Sequence, residues 1–218
     1  MNMPFSVDQF FEVFAQYNAG VWPAQIVLNA LAALVVALVA QGRSSHGRWI
    51  SAALALLWGW MAVAYHFAYF TGINPTAWVF GAISLLGSLW FAWVGVVERR
   101  LHFVLGRGIQ PWAGGVLVMY ALVVSPLLGY VLGHRYPAAP TFGLPCPTTI
   151  FAIGILLFVK PPIPRSVFIV PVLWAVVGLS AAFALGVYED LGLLVAIVIA
   201  VAALARPRSP PRPPPGRA

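Results

Sequence analysis

Charge is what this chain has least of: twelve Lys or Arg and five Asp or Glu among 218 residues, 8% in all, against 61% hydrophobic residues. A water-soluble domain carries roughly a quarter charged residues, so a soluble globular protein is excluded and an integral membrane protein is indicated. Cysteine is nearly absent. Cys146 stands alone, which rules out an intramolecular disulfide framework and any multi-cysteine zinc site. Lysine also occurs once, at Lys160 in a gap between apolar stretches, so no buried retinal-type Schiff base can form. The first twenty residues hold no Lys or Arg and carry Asp8 and Glu12. They lack the basic region of a cleavable signal peptide, and the first span is expected to be retained. There is no phosphate-binding glycine loop, zincin helix or serine nucleophile elbow. A bis-histidine haem is equally unsupported, because only His66 and His134 approach a matched depth and both lie close to water.

What is present is apolar length, punctuated by basic gaps. Seven stretches, 22–40, 50–70, 78–97, 113–132, 148–159, 167–187 and 191–205, read as transmembrane helices of an all-α polytopic bundle. A helix needs about 20 apolar residues to cross roughly 30 Å of hydrocarbon, and the fifth and seventh stretches fall short of that. Eleven of the twelve basic residues sit in every second gap: Arg43/Arg48, Arg99/Arg100/Arg107, Lys160/Arg165 and Arg206/Arg208/Arg212/Arg217. Cytoplasmic loops retain Lys and Arg, so this alternation predicts seven spans with the N-terminus outside and the C-terminus in the cytoplasm. Arg135 is then the single basic side chain outside, where Asp8, Glu12, Glu189 and Asp190 also fall. The formal net charge of +7 is dispersed in short loops and offers no face for nucleic acid.

Residues 1–205 form one transmembrane domain, preceded within it by a short helix over 4–17. Ser6 and Gln9 have the spacing of a capping box, and Phe10, Phe14 and Tyr17 share one face. That face either seats at the lipid headgroups or packs as a lid over the helices. Trp22, Trp49, Trp78, Trp112, Tyr69 and Tyr136 lie near span ends, as interfacial anchors do. Small residues four apart, at Gly129/Gly133, Ser84/Ser88 and Gly178/Ala182/Gly186, are expected to let helices pack closely. The tail 206–218 alternates Pro with Arg and Ser and is expected to be disordered in the cytoplasm.

The segment 136–149, YPAAPTFGLPCPTT, is the most unusual in the chain. It precedes a helix roughly 10 Å too short for the hydrocarbon core, so 141–146 is expected to enter the membrane as extended chain wherever protein or water satisfies its backbone. Cys146 then sits near a helix N-terminus whose free N–H groups, with Thr148 and Thr149, could hold a small anion or carbonyl. The simpler reading of Cys146 is an inert small hydrophobe. Extending the seventh stretch outward draws Tyr188, Glu189 and Asp190 toward the outer leaflet; a two-acid hairpin open to water is the simpler reading, a polar depression the sharper one. Tyr65, His66, Asn74, Gln25, Asn18, Thr71 and His134 fall on the same outer side. A His/His/Cys/acid metal set is chemically conceivable there, but no two of these residues have the close spacing of a ligand motif, and a structural histidine is the plainer reading.

Four pieces, FFEVFAQYNAGVWPAQ at 10–25, YHFAYFTGINP at 65–75, FGAISLLGSLWF at 80–91 and FGLPCPTTIFAIGILL at 142–157, together resemble a family of uncharacterised bacterial polytopic membrane proteins, sometimes labelled permeases. The resemblance implies a multi-pass protein of the bacterial inner membrane and brings no catalytic residues with it. It singles out Tyr17, Asn18, Trp22, Pro23, Gln25, Tyr65, His66, Asn74, Pro75, Cys146, Pro147 and Thr148.

The leading expectation is a small-molecule or ion transporter, permease-like, with an outward-facing site of His66, Asn74, Cys146, Thr148, Glu189, His134, Tyr65 and Gln25. Two other classes stay open: a structural or accessory subunit that docks a membrane protein partner, and a membrane-embedded thiol or metal enzyme. The bilayer is the one partner implied throughout; no cofactor or metal is assigned.

Overall fold

A computed structural model of the protein describes residues 4–205. The basic tail from 206 onward, expected to be disordered, lies outside the described residues. Eight helices follow in order: α1 (Val7–Gly20), α2 (Ala24–Gln41), α3 (His46–Gly72), α4 (Ala77–Val97), α5 (Ile109–Val131), α6 (Pro145–Leu156), α7 (Arg165–Leu185) and α8 (Tyr188–Ala205). Six of them, α2 to α5, α7 and α8, are long and apolar enough to cross a membrane. The shorter α6 corresponds to the fifth expected span. Exposed Val, Leu, Ile, Phe and Trp side chains run along the long helices, a surface that matches lipid rather than water.

The start of α1 forms because the side chains of Ser6 and Gln9 each accept from the other's otherwise orphan backbone N–H. Gln9 N donates to Ser6 Oγ at 3.2 Å and Ser6 N donates to Gln9 Oε1 at 2.8 Å, a complete capping box. Phe10, Phe14 and Tyr17 are buried, with Phe10 and Phe14 packed on Phe70 and Tyr65 of α3. These contacts match a lid over the bundle rather than a lipid anchor.

Helix α6 rises only about 18 Å. Every residue in it except Cys146 is buried, so it is surrounded by protein on all sides. The chain goes under at Pro140, and Phe142, Gly143 and Leu144 stay buried up to the helix, as expected, but 141–144 form a turn rather than the expected extended chain and 145–146 already belong to α6. Its backbone is satisfied locally: Gly143 N donates to Thr148 Oγ1 at 3.2 Å and Leu144 N to Thr141 O at 3.0 Å. At the far end, Val104 N donates to Phe158 O and Lys160 N to His102 O, so a short ribbon finishes the span.

That ribbon also joins two of the basic gaps, and Gly47 abuts the Leu101 carbonyl from a third. Three of the four basic stretches thus meet at one end of the bundle. We call the opposite end, which carries α1 and the 136–144 segment, the polar end.

Helix geometry is locally widened to π turns at Met61–Phe67 in α3, Ala92–Val97 in α4 and Tyr120–Val124 in α5. The last of these precedes Pro126, which has no N–H to give the preceding turn. Of the small residues expected to pack helices, Ser88 does so by donating to Ala55 O at 2.7 Å, and Gly178 lies against Leu193. Gly133 and Gly186 do not pack. They have φ of +96° and +74° with nothing within 4 Å of a Cβ, and they end α5 and α7 in conformations that other residues resist.

Candidate functional site

At the polar end, Asn18 fastens the lid to the proline-rich segment. It is fully buried; its Nδ2 donates to Pro137 O at 2.6 Å and Ala139 O at 2.9 Å, while its Oδ1 accepts from Thr141 Oγ1 at 2.6 Å. Its carbonyl accepts from Gln25 Nε2 at 2.9 Å, which adds α2 to the clasp. One residue earlier, the Tyr17 hydroxyl accepts from Trp60 Nε1 at 2.8 Å, and burial pushes the Tyr17 phenol up to about 12.

Beneath the lid lies a cavity of ≈ 310 Å³ bounded by α1, α3, α4, α6, α7 and the start of α8. The π turn Met61–Phe67 carries Tyr65 and His66, and both reach its lining. His66 is fully buried, held edge-on by Trp174 with ring centroids 4.8 Å apart and by Tyr65 at 5.1 Å. Neither ring nitrogen has a hydrogen-bond partner. Trp174 Nε1 and Asp190 Oδ1 on the same lining are also without partners, although both residues are buried. Buried polar groups are nearly always paired, so four orphan atoms on three residues around one void are an unusual concentration. Phe5, Phe10, Phe14, Phe70 and Phe80 add aromatic wall, prolines and aliphatic side chains complete it, and no Lys or Arg lines it. The rim passes Pro4, Thr76, Ser180 and Ala184, which are all exposed, so the cavity opens on the flank of the polar end.

A second cavity of ≈ 570 Å³ lies across the proline-rich segment, with Pro140 and Pro147 bordering both. Gln25 and His134 line it, and Gln25 Oε1 is unpartnered.

The structure therefore divides the eight residues expected to form one site. Tyr65, His66, Asn74 and Cys146 share the first cavity; Gln25 and His134 belong to the second. Thr148 and Glu189 line neither. Thr148 accepts the Gly143 amide, a structural task. Glu189 is buried and its Oε1 lies 2.6 Å from His134 Nδ1, while its own carbonyl accepts from Tyr120. Asn74 also serves the fold, since its Oδ1 accepts from Thr76 N at 3.0 Å where the chain turns into α4.

The simpler reading of the two acids, a hairpin open to water, is overturned: Glu189 and Asp190 are 1% and 3% exposed. The expected anion-binding N-terminus of α6 also fails, for a reason written in its sequence. Pro145 and Pro147 have no N–H to offer, and Thr148 N already donates to Leu144 O at 3.2 Å. Helix α6 begins at Pro145, earlier than expected, so the first turn is left with the Cys146 N–H alone instead of a set of free donors. Among the described residues no group of three or more His, Cys, Asp or Glu side chains converges as metal ligands.

Two cavity residues escaped the sequence-based expectation. The sequence puts Asp190 near the outer leaflet and gives no sign that it turns toward the cavity that His66 lines. Trp174 left one usable signal: it lies in mid-span, where an interfacial anchor has no reason to be.

Similarity to known proteins adds a family and no activity. No curated protein and no solved structure matches the chain. A model for a family of unknown function matches residues 7–211, nearly the whole of the chain including all eight helices, and the protein accordingly belongs to the DUF6064 family.

Proposed function

We propose that this multi-pass protein is a permease-like carrier of the bacterial inner membrane that admits a small, mostly apolar molecule from the outer side into the cavity under α1. The observation that supports this best is His66: a wholly buried imidazole with two unpartnered nitrogens, facing a void walled by aromatic rings. A protein that needed His66 only for packing would gain by replacing it with an apolar ring, because leaving buried polar atoms unpaired is costly. A bound molecule that supplies the missing partners removes that cost. The positive-inside rule puts the mouth of the cavity outside, since it opens opposite the clustered basic loops.

The test is uptake and binding by purified full-length protein reconstituted in proteoliposomes, with a panel of small aromatic amines, alcohols and acids. Saturable binding or counterflow that His66→Phe abolishes, while the variant stays folded, supports the reading. No saturable binding by any member of the panel refutes it. A stoichiometric protein partner retained in mild detergent, together with an inert cavity, would identify an accessory subunit instead.

A further inference from the structure

Asp190 narrows the chemistry of the occupant. The residue is 3% exposed, Oδ1 has no hydrogen-bond partner, and among the described residues no Lys, Arg or His forms an ion pair with it. The adjacent Glu189 is different, being matched by His134. A carboxyl held in a low-dielectric interior either keeps its proton or needs a counter-charge, and at membrane depth an unmatched acid is rare. Nothing on the cavity wall supplies it: Tyr65, His66 and Cys146 are the other titratable side chains there, and no Lys or Arg is present. An ionised Asp190 therefore draws its counter-charge from the occupant. The wall around Asp190 suits such an occupant, because the faces of Phe, Tyr and Trp rings attract cations. His66 adds a nitrogen that can accept a further N–H.

We infer that the cavity takes a monovalent organic cation, an amine with an aromatic or similarly apolar body, whose ammonium group pairs with Asp190 while its body lies among Phe10, Phe70, Phe80 and Trp174. The inference rests on the binding role proposed above and assigns its substrate class. An anion is disfavoured by the acid and by the lack of any basic group on the wall. The volume of ≈ 310 Å³ stands at the lower end of the range for small-molecule sites, about 300–1,000 Å³, and suits one ring with a short amine arm.

The experiment compares three probes of nearly equal shape, 2-phenylethylammonium, 2-phenylethanol and 3-phenylpropionate, by calorimetry on the full-length protein in zwitterionic nanodiscs. The ammonium probe is expected to bind at least about tenfold more tightly than the alcohol, with no detectable binding of the carboxylate. Asp190→Asn should bring the ammonium probe down to the level of the alcohol and leave the alcohol unchanged. Phe80→Leu, which keeps the acid and guards against a misfolded Asn variant, should lower the ammonium-to-alcohol ratio. Equal affinity of ammonium and alcohol for the native protein, or a preference that survives in Asp190→Asn, overturns the charge assignment while leaving a binding cavity. If none of the three probes binds, the binding role itself fails.

Discussion

Asn18 offers the sharpest test of how the lid is held. Its side chain makes three short hydrogen bonds, to Pro137 O, Ala139 O and Thr141 Oγ1, at 2.6, 2.9 and 2.6 Å. At about 1 kcal/mol net per bond, Asn18→Ala removes up to about 3 kcal/mol. Pro137 is exposed, so its carbonyl can find water, and about 2 kcal/mol is the better expectation. The loss should fall on the proline-rich segment rather than on the whole bundle. Gly143 N and Leu144 N, which are bonded within that segment, should exchange their protons about 5- to 30-fold faster in the variant. Asn18→Asp separates the donors from the acceptor. It keeps an oxygen for Thr141 but turns a carboxylate toward two carbonyl oxygens, so it should be worse than Ala. Hydrogen exchange by mass spectrometry on peptides covering 141–146 in nanodiscs reads both variants. Native-like exchange in Asn18→Ala, or an Asp variant better protected than the Ala variant, would refute the clasp.

Three further outcomes follow from the geometry. A Cβ at Gly114 would lie 2.7 Å from the Gly154 carbonyl where α5 crosses α6, so Gly114→Ala should destabilise the bundle by about 1–3 kcal/mol in denaturant unfolding, whereas Gly115→Ala, with nothing within 4 Å, should not; equal effects would show that the crossing is not tight. His66→Phe should leave thermal stability unchanged or raised, because it deletes two unpartnered buried nitrogens; a large loss of stability would mean that the imidazole has a structural partner. Tyr17 ionises at about 12 when folded and about 10 when unfolded, so its contribution to stability is whole below pH 10 and is lost as pH rises through 12. Absorbance titration against Tyr17→Phe should show one phenol of late midpoint missing from the variant, and a missing phenol that titrates near 10 would contradict its burial.

Much of the architecture was legible because the membrane simplifies the code. Apolar length marked each span, the basic gaps marked one end, and the three that fall in the described residues do meet in space through His102, Lys160 and Gly47. Ser6 and Gln9 announced the start of α1 correctly because a capping box is local. The shortness of α6 and the burial of the preceding segment followed from helix rise alone. The site was less legible because its contacts are not local. His134 and Glu189 are 55 residues apart, and nothing in either neighbourhood names the other. Depth placed eight polar residues on one side but carried no information on rotation about each helix axis, which is what sends Gln25 and His134 to one cavity and Tyr65 and His66 to another. The π turn at Met61–Phe67 changes that rotation locally, and a sequence read at 3.6 residues per turn passes over it.

Enclosure gives α6 an unusual history during synthesis. Twelve residues are too few to cross a bilayer, and in the finished molecule every side chain but that of Cys146 is covered by other parts of the protein. Lipid is therefore not the solvent this helix was selected for. The translocation machinery inserts segments by their own apolar length, so α6 is expected to enter only together with α7. For α6 the neighbouring helices are the membrane, and a chain halted before α7 should leave it outside.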